Sequence, residues 1–343
     1  MPFSGRYVTE MDKAIKISRE DWNRMLVQLA EGDGHVFAPV RKNGSFDYEQ
    51  VTGDNTGSIV YNEARPASPL KIFFLPLRLN VTKSGYATGR TLIIGAPACD
   101  IEGLKLLDAI YIDEKFVDET YVSRREKAII IGTACHKTAS HCHCTAYGLN
   151  PWPGDGCDIS LSAIGDDIIL EPLSKKGSAF LKEIAARFQL VEPKTGDLET
   201  VSTLRSKSAA EVALSCNGLP GTEETGRLTT AAAPEFWKKQ SSKCVSCGAC
   251  SAICPTCTCF LLIDRPGFEK IKQQDTCQYP AFERVAGGED PLKELSVRFH
   301  NRYMCKYVWK PERFKVLACT GCGRCTDACI AGISKNEVIM EMI

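Results

Sequence analysis

Between Ser18 and Leu29, the apolar residues Trp22, Met25, Leu26 and Leu29 recur at helical spacing. Ser18 and Asp21 supply a capping pattern at the front of this run, which predicts a short amphipathic helix packed on a core. Short apolar runs follow at 36–40, 59–61 and 72–79, punctuated by Pro39, Pro76 and several glycines, and predict strands joined by turns. Residues 91–94 and 128–131 are unbroken apolar runs, the pattern of strands buried on both faces. Between them, 95–100 reads as a loop and 101–110 as a helix with Asp100 as its N-cap. Strand, helix, strand implies a parallel pair, and ligands of such sheets gather outside the carboxyl ends of the strands. From about Glu171 the chain is more polar, with one helix predicted at 179–188 and a linker at 217–226. A last helix is predicted from Asp290, its N-cap, and Pro291 to about Tyr307.

Composition narrows the function classes. The 343 residues are 44% hydrophobic and 24% charged, which suits two domains with proper cores and argues against disorder. Forty-two basic residues balance forty-two acidic ones without a basic block, so neither nucleic acid nor an anionic membrane is an expected partner. The basic residues Arg298, His300, Arg302, Lys306 and Lys310, interleaved with Phe299, Tyr303, Tyr307 and Trp309, predict a packed aromatic face and a solvated basic face that docks a protein. The first residues hold no apolar signal region and no apolar run is long enough to span a bilayer, so a cytoplasmic location is expected. There the eighteen cysteines would be reduced and free to bind metal.

Two runs share one spacing: Cys244-x2-Cys247-x2-Cys250-x3-Cys254-Pro255 and Cys319-x2-Cys322-x2-Cys325-x3-Cys329. Bacterial two-cluster ferredoxins hold a pair of [4Fe–4S] clusters with this spacing, and the fourth cysteine of each run serves the other cluster. The crossed rule assigns Cys244, Cys247, Cys250 and Cys329 to one cluster and Cys319, Cys322, Cys325 and Cys254 to the second. Structural zinc uses two separated pairs, which this spacing does not match. Proline follows Cys254, but Ile330 follows Cys329, a departure that costs turn rigidity and no ligand. Cys99, Cys135, Cys142 and Cys144 fall on the loops after the two buried strands and form a candidate third site, with His141 or His143 as substitute ligands. Cys257, Cys259, Cys277 and Cys305 form a further candidate set; buried, redox-inert thiols are the alternative for both sets. Cys157 and Cys216 have no companions at ligand spacing. His35 and His300 are isolated, and no nucleophile arrangement stands apart from the cysteine runs, so no catalytic residue is assigned.

The runs 254–260 (Cys-Pro-Thr-Cys-Thr-Cys-Phe), 276–278 (Thr-Cys-Gln) and 319–325 (Cys-Thr-Gly-Cys-Gly-Arg-Cys) resemble those of the electron-transfer subunits of anaerobic sulfite reductase and of sulfhydrogenase, its beta subunit. Segments 36–40, 95–100, 121–125, Cys135 and 142–148 are similar to family patterns in the same order, with Pro97 where relatives tend to carry Arg. The resemblance implies an α/β (α+β) N-terminal domain with a short parallel-sheet portion, residues 1–232, and a ferredoxin-like two-cluster domain, 233–343. A long helical insert is expected at 260–318, because 64 residues separate Cys254 from Cys319. The resemblance further implies a relay between a catalytic subunit carrying sirohaem or a [NiFe] site and a flavin-containing NAD(P)H-oxidising or ferredoxin-linked subunit. The alternative is a disulfide- or sulfur-reducing subunit of a heterodisulfide-reductase-like complex, with chemistry at a cluster.

Overall fold

The two unbroken apolar runs lie at the centre of a mixed sheet. The protein is described here from a computed structural model covering residues 13–32, 34–83 and 89–343. Among the described residues, the larger sheet has seven strands in the order Ile15–Ser18 (β1), Asp167–Pro172 (β8), Ile159–Ile164 (β7), Ala128–Thr133 (β6), Thr91–Pro97 (β5), His35–Lys42 (β2) and Ser45–Gln50 (β3). The four central strands β2, β5, β6 and β7 are parallel, and the outer pairings are antiparallel. Alternation along each strand sends side chains to opposite faces. Ile94, Ile129 and Ile131 therefore pack with Trp22 and Leu26 of the helix Arg19–Glu31 (α1) and with Phe180 of the helix Lys175–Ala185 (α4). Ile93 and Ile130 face the other way, against Leu104 and Leu107 of Ala98–Tyr111 (α2) and Tyr121 of Glu119–Lys127 (α3). Each such fully buried side chain contributes about 1.5–3 kcal/mol, which is why helices cover both faces.

Several expectations change in three dimensions. Ser18 does cap α1, accepting from the Asp21 N–H, and α4 covers most of the predicted helix 179–188. Residues 59–61 make only one bridge to β2, and 72–79 hold a 3-10 turn, Leu70–Phe73, and the short strand Arg78–Asn80 (β4). The predicted loop 95–100 is absent, because β5 runs to Pro97 and α2 starts at Ala98. Asp100 thus sits inside the first turn of α2 and is not its N-cap. The polar stretch contains a helix of 21 residues, Thr195–Ser215 (α5), that buries only Val201, Ser208 and Val212, so no apolar stripe announced it. Half of the predicted linker belongs to another helix, Thr222–Ala231 (α6), and Pro234–Ser241 (α7) follows at once.

The insert 260–318 is helical only in its second half, within 295–314, and not throughout as expected. It opens as a hairpin, Phe260–Arg265 (β9) and Glu269–Gln274 (β10), which pairs with β4 from the N-terminal half in a separate three-stranded sheet. Helix appears only in Leu295–Met304 (α9), a π-helical turn at Cys305–Trp309 and Lys310–Phe314 (α10). Asp290 caps no helix: its carboxylate accepts from the Leu292 N–H and pairs with the buried Arg298. Phe299, Tyr303 and Tyr307 pack on Trp237 of α7 and on Val338 and Ile339 of Lys335–Met340 (α12), making a core of their own. Among the described residues, no helix is long and apolar enough to cross a membrane.

Candidate metal centres

The two cysteine runs fold alike because their local sequences are alike. In each, a glycine follows the second cysteine and adopts positive φ, +73° at Gly248 and +71° at Gly323. Each glycine starts a one-turn helix, Ala249–Ala252 (α8) and Arg324–Asp327 (α11), and the two turns pack against one another. A Cβ at Gly323 would lie 2.5 Å from the His141 carbonyl oxygen. Gly323→Ala is therefore expected to cost about 2–4 kcal/mol from left-handed strain plus overpacking. Anaerobic denaturant unfolding with iron analysis checks this; unchanged stability and iron content would contradict it. The missing proline after Cys329 is offset by a turn in which the Gly332 N–H donates to the Cys329 carbonyl at 2.9 Å.

Cys244, Cys247 and Cys250 of the first run and Cys325 and Cys329 of the second line one narrow cavity, partly open to solvent, together with Arg302, Tyr303 and Lys335. The Ile333 N–H points at the Cys329 sulfur, 3.3 Å away. Cys254 lies beside Cys322. Lys335 Nζ donates to Cys319 Sγ at 3.1 Å. Burial works against the Cys319 thiolate, yet Lys335 and His143 hold its pKa well below the ordinary thiol value. A hydrogen bond from Cys257, helped by Lys306 and Lys71, does the same for Cys254.

The second half of the basic helix reading is corrected here. Arg298, Arg302 and Lys306 are buried, not solvated, at 2%, 5% and 2% exposure. Spacing of four residues places 298, 302, 306 and 310 on one helical stripe, which was legible, but its direction was not. Arg302 donates to the Cys250 carbonyl at 3.2 Å. Lys306 donates to Thr256 Oγ1, Lys310 to Thr258 Oγ1 and the Thr256 carbonyl, and Lys71 of the N-terminal half to the Cys257 carbonyl. Among the described residues, none of Lys71, Arg302, Lys306, Lys310 and Lys335 pairs with a carboxylate. Burial opposes the charge on Lys71, Lys306 and Lys310; at Lys306 the sulfurs of Cys254 and Cys257 outweigh it and raise the pKa, whereas at Lys71 and Lys310 burial outweighs the sulfurs and lowers it. Buried cations without carboxylates need another anion nearby, since an unpaired buried charge costs several kcal/mol. Sulfur-ligated iron clusters supply that anionic charge, so the residues fit the group.

Two further sets differ in electrostatics. Cys257, Cys259, Cys277 and Cys305 adjoin the lysines: Ser251 Oγ touches Cys257 Sγ at 3.4 Å and Cys277 Sγ at 3.8 Å. Cys259 lies in hydrogen-bond range of Cys277, and Cys305 is near enough to interact with it. Hydrogen bonds from Cys259, Gln278 and Ser251 pull Cys277 down to about 5, while the hydrogen bonds with Cys254 and Cys277, together with burial, push Cys257 and Cys259 up. Cys99, Cys135, Cys142 and Cys144 gather behind the second run, where the His143 N–H donates to the Gly321 carbonyl at 2.8 Å. Burial raises the thiols of Cys99, Cys135 and Cys144, the last to about 12. Cys135 donates to the Ala64 carbonyl at 3.1 Å, as a protonated thiol does. Of the nearby guanidiniums, Arg324 pairs with Asp100, whereas Arg65 pairs with Asp327 and also donates to Cys142 Sγ at 3.5 Å.

His141 pairs with Asp327, and His143 Nδ1 contacts the His141 carbonyl at 3.0 Å. Cys157 and Cys216 are buried in apolar clusters, and His300 stacks on Trp237 with centroids 4.5 Å apart. Among the described residues, no three His, Cys, Asp or Glu side chains come close enough to hold a single metal ion. A cubane differs from such a site by spreading its thiolates over separate irons.

Residues 243–333 match the 4Fe-4S dicluster domain family. Over 341 residues, covering 96% of this chain and 98% of the relative, the protein is 31% identical to sulfhydrogenase 2 subunit beta of Pyrococcus furiosus. With the thiols, cations and dicluster match all on the same loops, the chain belongs to the iron–sulfur family of sulfhydrogenase beta subunits.

Proposed function

We propose that the protein is the electron-transfer subunit of an anaerobic cytoplasmic oxidoreductase complex. In this reading it relays electrons between a catalytic subunit of sirohaem sulfite reductase or [NiFe] hydrogenase type and a flavin-containing NAD(P)H-oxidising or ferredoxin-linked subunit. The observation that carries it is the cavity where Cys244, Cys247 and Cys250 of the first run meet Cys325 and Cys329 of the second, with Cys254 beside Cys322, an arrangement consistent with the crossed ligands of two-cluster ferredoxins. When bound there, [4Fe–4S] clusters supply reversible one-electron transfer. Cys244, Cys247, Cys250 and Cys329 would hold one, and Cys319, Cys322, Cys325 and Cys254 the other. The surrounding chain aims the Ile333 N–H at a ligand sulfur and sets buried cations against the sulfurs, both of which tune a cluster's potential.

Cys257, Cys259, Cys277 and Cys305 are the better candidates for a third cluster, because unpaired lysines compensate anionic charge there. Cys99, Cys135, Cys142 and Cys144 are read as neutral packing thiols. The expected content is about twelve irons per chain, four for each of three cubanes. Cys277→Ala should remove about four of these and Cys135→Ala none; the reverse result exchanges the two assignments.

The partner is tested by anaerobic purification of the native complex and measurement of its nickel and sirohaem. Sirohaem identifies a sulfite reductase relay and nickel a hydrogenase relay. Iron and labile sulfide without either would defeat both assignments and favour a disulfide-reducing partner.

A further inference from the structure

Lys335 occupies a position that the relay reading alone does not explain. It is 4% exposed, opens α12, and reaches back between the two cysteine runs. Its Nζ is 3.1 Å from Cys319 Sγ, a ligand of the second proposed cluster. The same side chain lines the cavity shared by Cys244, Cys247, Cys250 and Cys329 of the first set and Cys325 of the second. Its Nζ also lies 4.6 Å from the Tyr307 ring centroid and 5.8 Å from that of Tyr303. Tyr303 and Tyr307 are themselves buried, so solvent screening at this point is weak. Arg302 lines that cavity too, but donates to a backbone carbonyl, whereas Lys335 touches ligand sulfur directly.

Resting on the two-cluster reading above, we propose that Lys335 is a charge-tuning residue shared by both clusters. Its ammonium stabilises the added electron on either one and so raises both reduction potentials. Each reduction takes one electron from the donor and adds one negative charge to the site; no bond to Lys335 forms or breaks. A cation held between two sites that each gain negative charge lowers the energy of both reduced states by attraction. Sharing it keeps the two potentials close, which favours passage of an electron in either direction.

The test is an anaerobic redox titration of the full chain, monitored by electron paramagnetic resonance, with dithionite as the reductant. Iron and labile sulfide are measured in parallel. Lys335→Met removes charge and donor, Lys335→Gln keeps a donor without charge, and Lys335→Arg keeps the charge. Expected are lower midpoints for both clusters in the Met and Gln variants. The reduced-to-oxidised ratio at fixed potential should fall about tenfold or more, 59 mV for a one-electron couple, with Arg near the wild type. Unchanged midpoints, a shift confined to one cluster, or wild-type midpoints in Lys335→Gln would each overturn the proposal. If Lys335→Met loses iron, Gln against Arg decides, and equal midpoints in those two overturn it. Wild-type protein without two reducible clusters would instead defeat the ligand reading beneath it.

Discussion

Replacing Cys322 by alanine is expected to abolish electron flow through the assembled complex while leaving both ends of the chain of transfer intact. Cys322 is a buried thiol of the second run, beside Cys254 and Cys325. Burial and neighbouring sulfurs push its thiol up to about 12 when metal-free, so its ionisation depends on iron as well as on the nearby Arg324. Alanine supplies no ligand and leaves a hole that water can enter. The chain should lose about four irons, and turnover between the physiological donor and acceptor should fall at least a hundredfold. Each partner should still react with an artificial dye, because the chemistry of those half-reactions lies outside this subunit. Cys247→Ala tests the first cavity in the same way, at an exposed ligand position. Unchanged overall turnover in both variants would sink the relay.

The second large effect is on stability. Asp100 and Arg324 form a fully buried pair, with Nη2 donating to Oδ2 at 2.9 Å and side-chain exposures of 0% and 3%. Asp100 also accepts from the Leu70 N–H, and Arg324 Nε donates to the Pro66 carbonyl. The pair joins α2 to α11, and so ties the larger sheet to the second cysteine run. Asp100→Ala would strand a guanidinium in the interior, at a cost of about 3–5 kcal/mol. Arg324→Met added to it should recover much of that loss, because no buried charge then remains. Denaturant unfolding of the two single variants and the double, without oxygen and with iron measured, supplies the cycle. A loss below about 1 kcal/mol for Asp100→Ala would show the pair to be solvated.

These two predictions mark where sequence reading succeeded and stopped. Unbroken apolar runs at 91–94 and 128–131 announced β5 and β6 and their parallel pairing, since a strand buried on both faces has no polar side to show. Helix α5 escaped because it buries only three of its residues. The hairpin β9–β10 escaped because its outer strand exposes most of its side chains, and its inner strand pairs with the distant β4. The basic stripe 298, 302, 306 and 310 was visible as a stripe, but a charged helical face ordinarily meets water. Its burial becomes favourable only once the first cysteine run and the segment after it, 50 or more positions away, are folded against it.

The sequence by itself determined the spacing of the two cysteine runs, the glycines that turn them, and the alternation that builds the sheet. Those features depend on neighbours within a few residues, where bond geometry and steric limits act directly. Only the tertiary structure decided that Asp100 neutralises Arg324, that five cations turn inward, and which spare cysteines lie beside those cations. Each of these joins segments far apart in the chain, and electrostatic energy depends on through-space distance and burial, quantities that no local pattern carries.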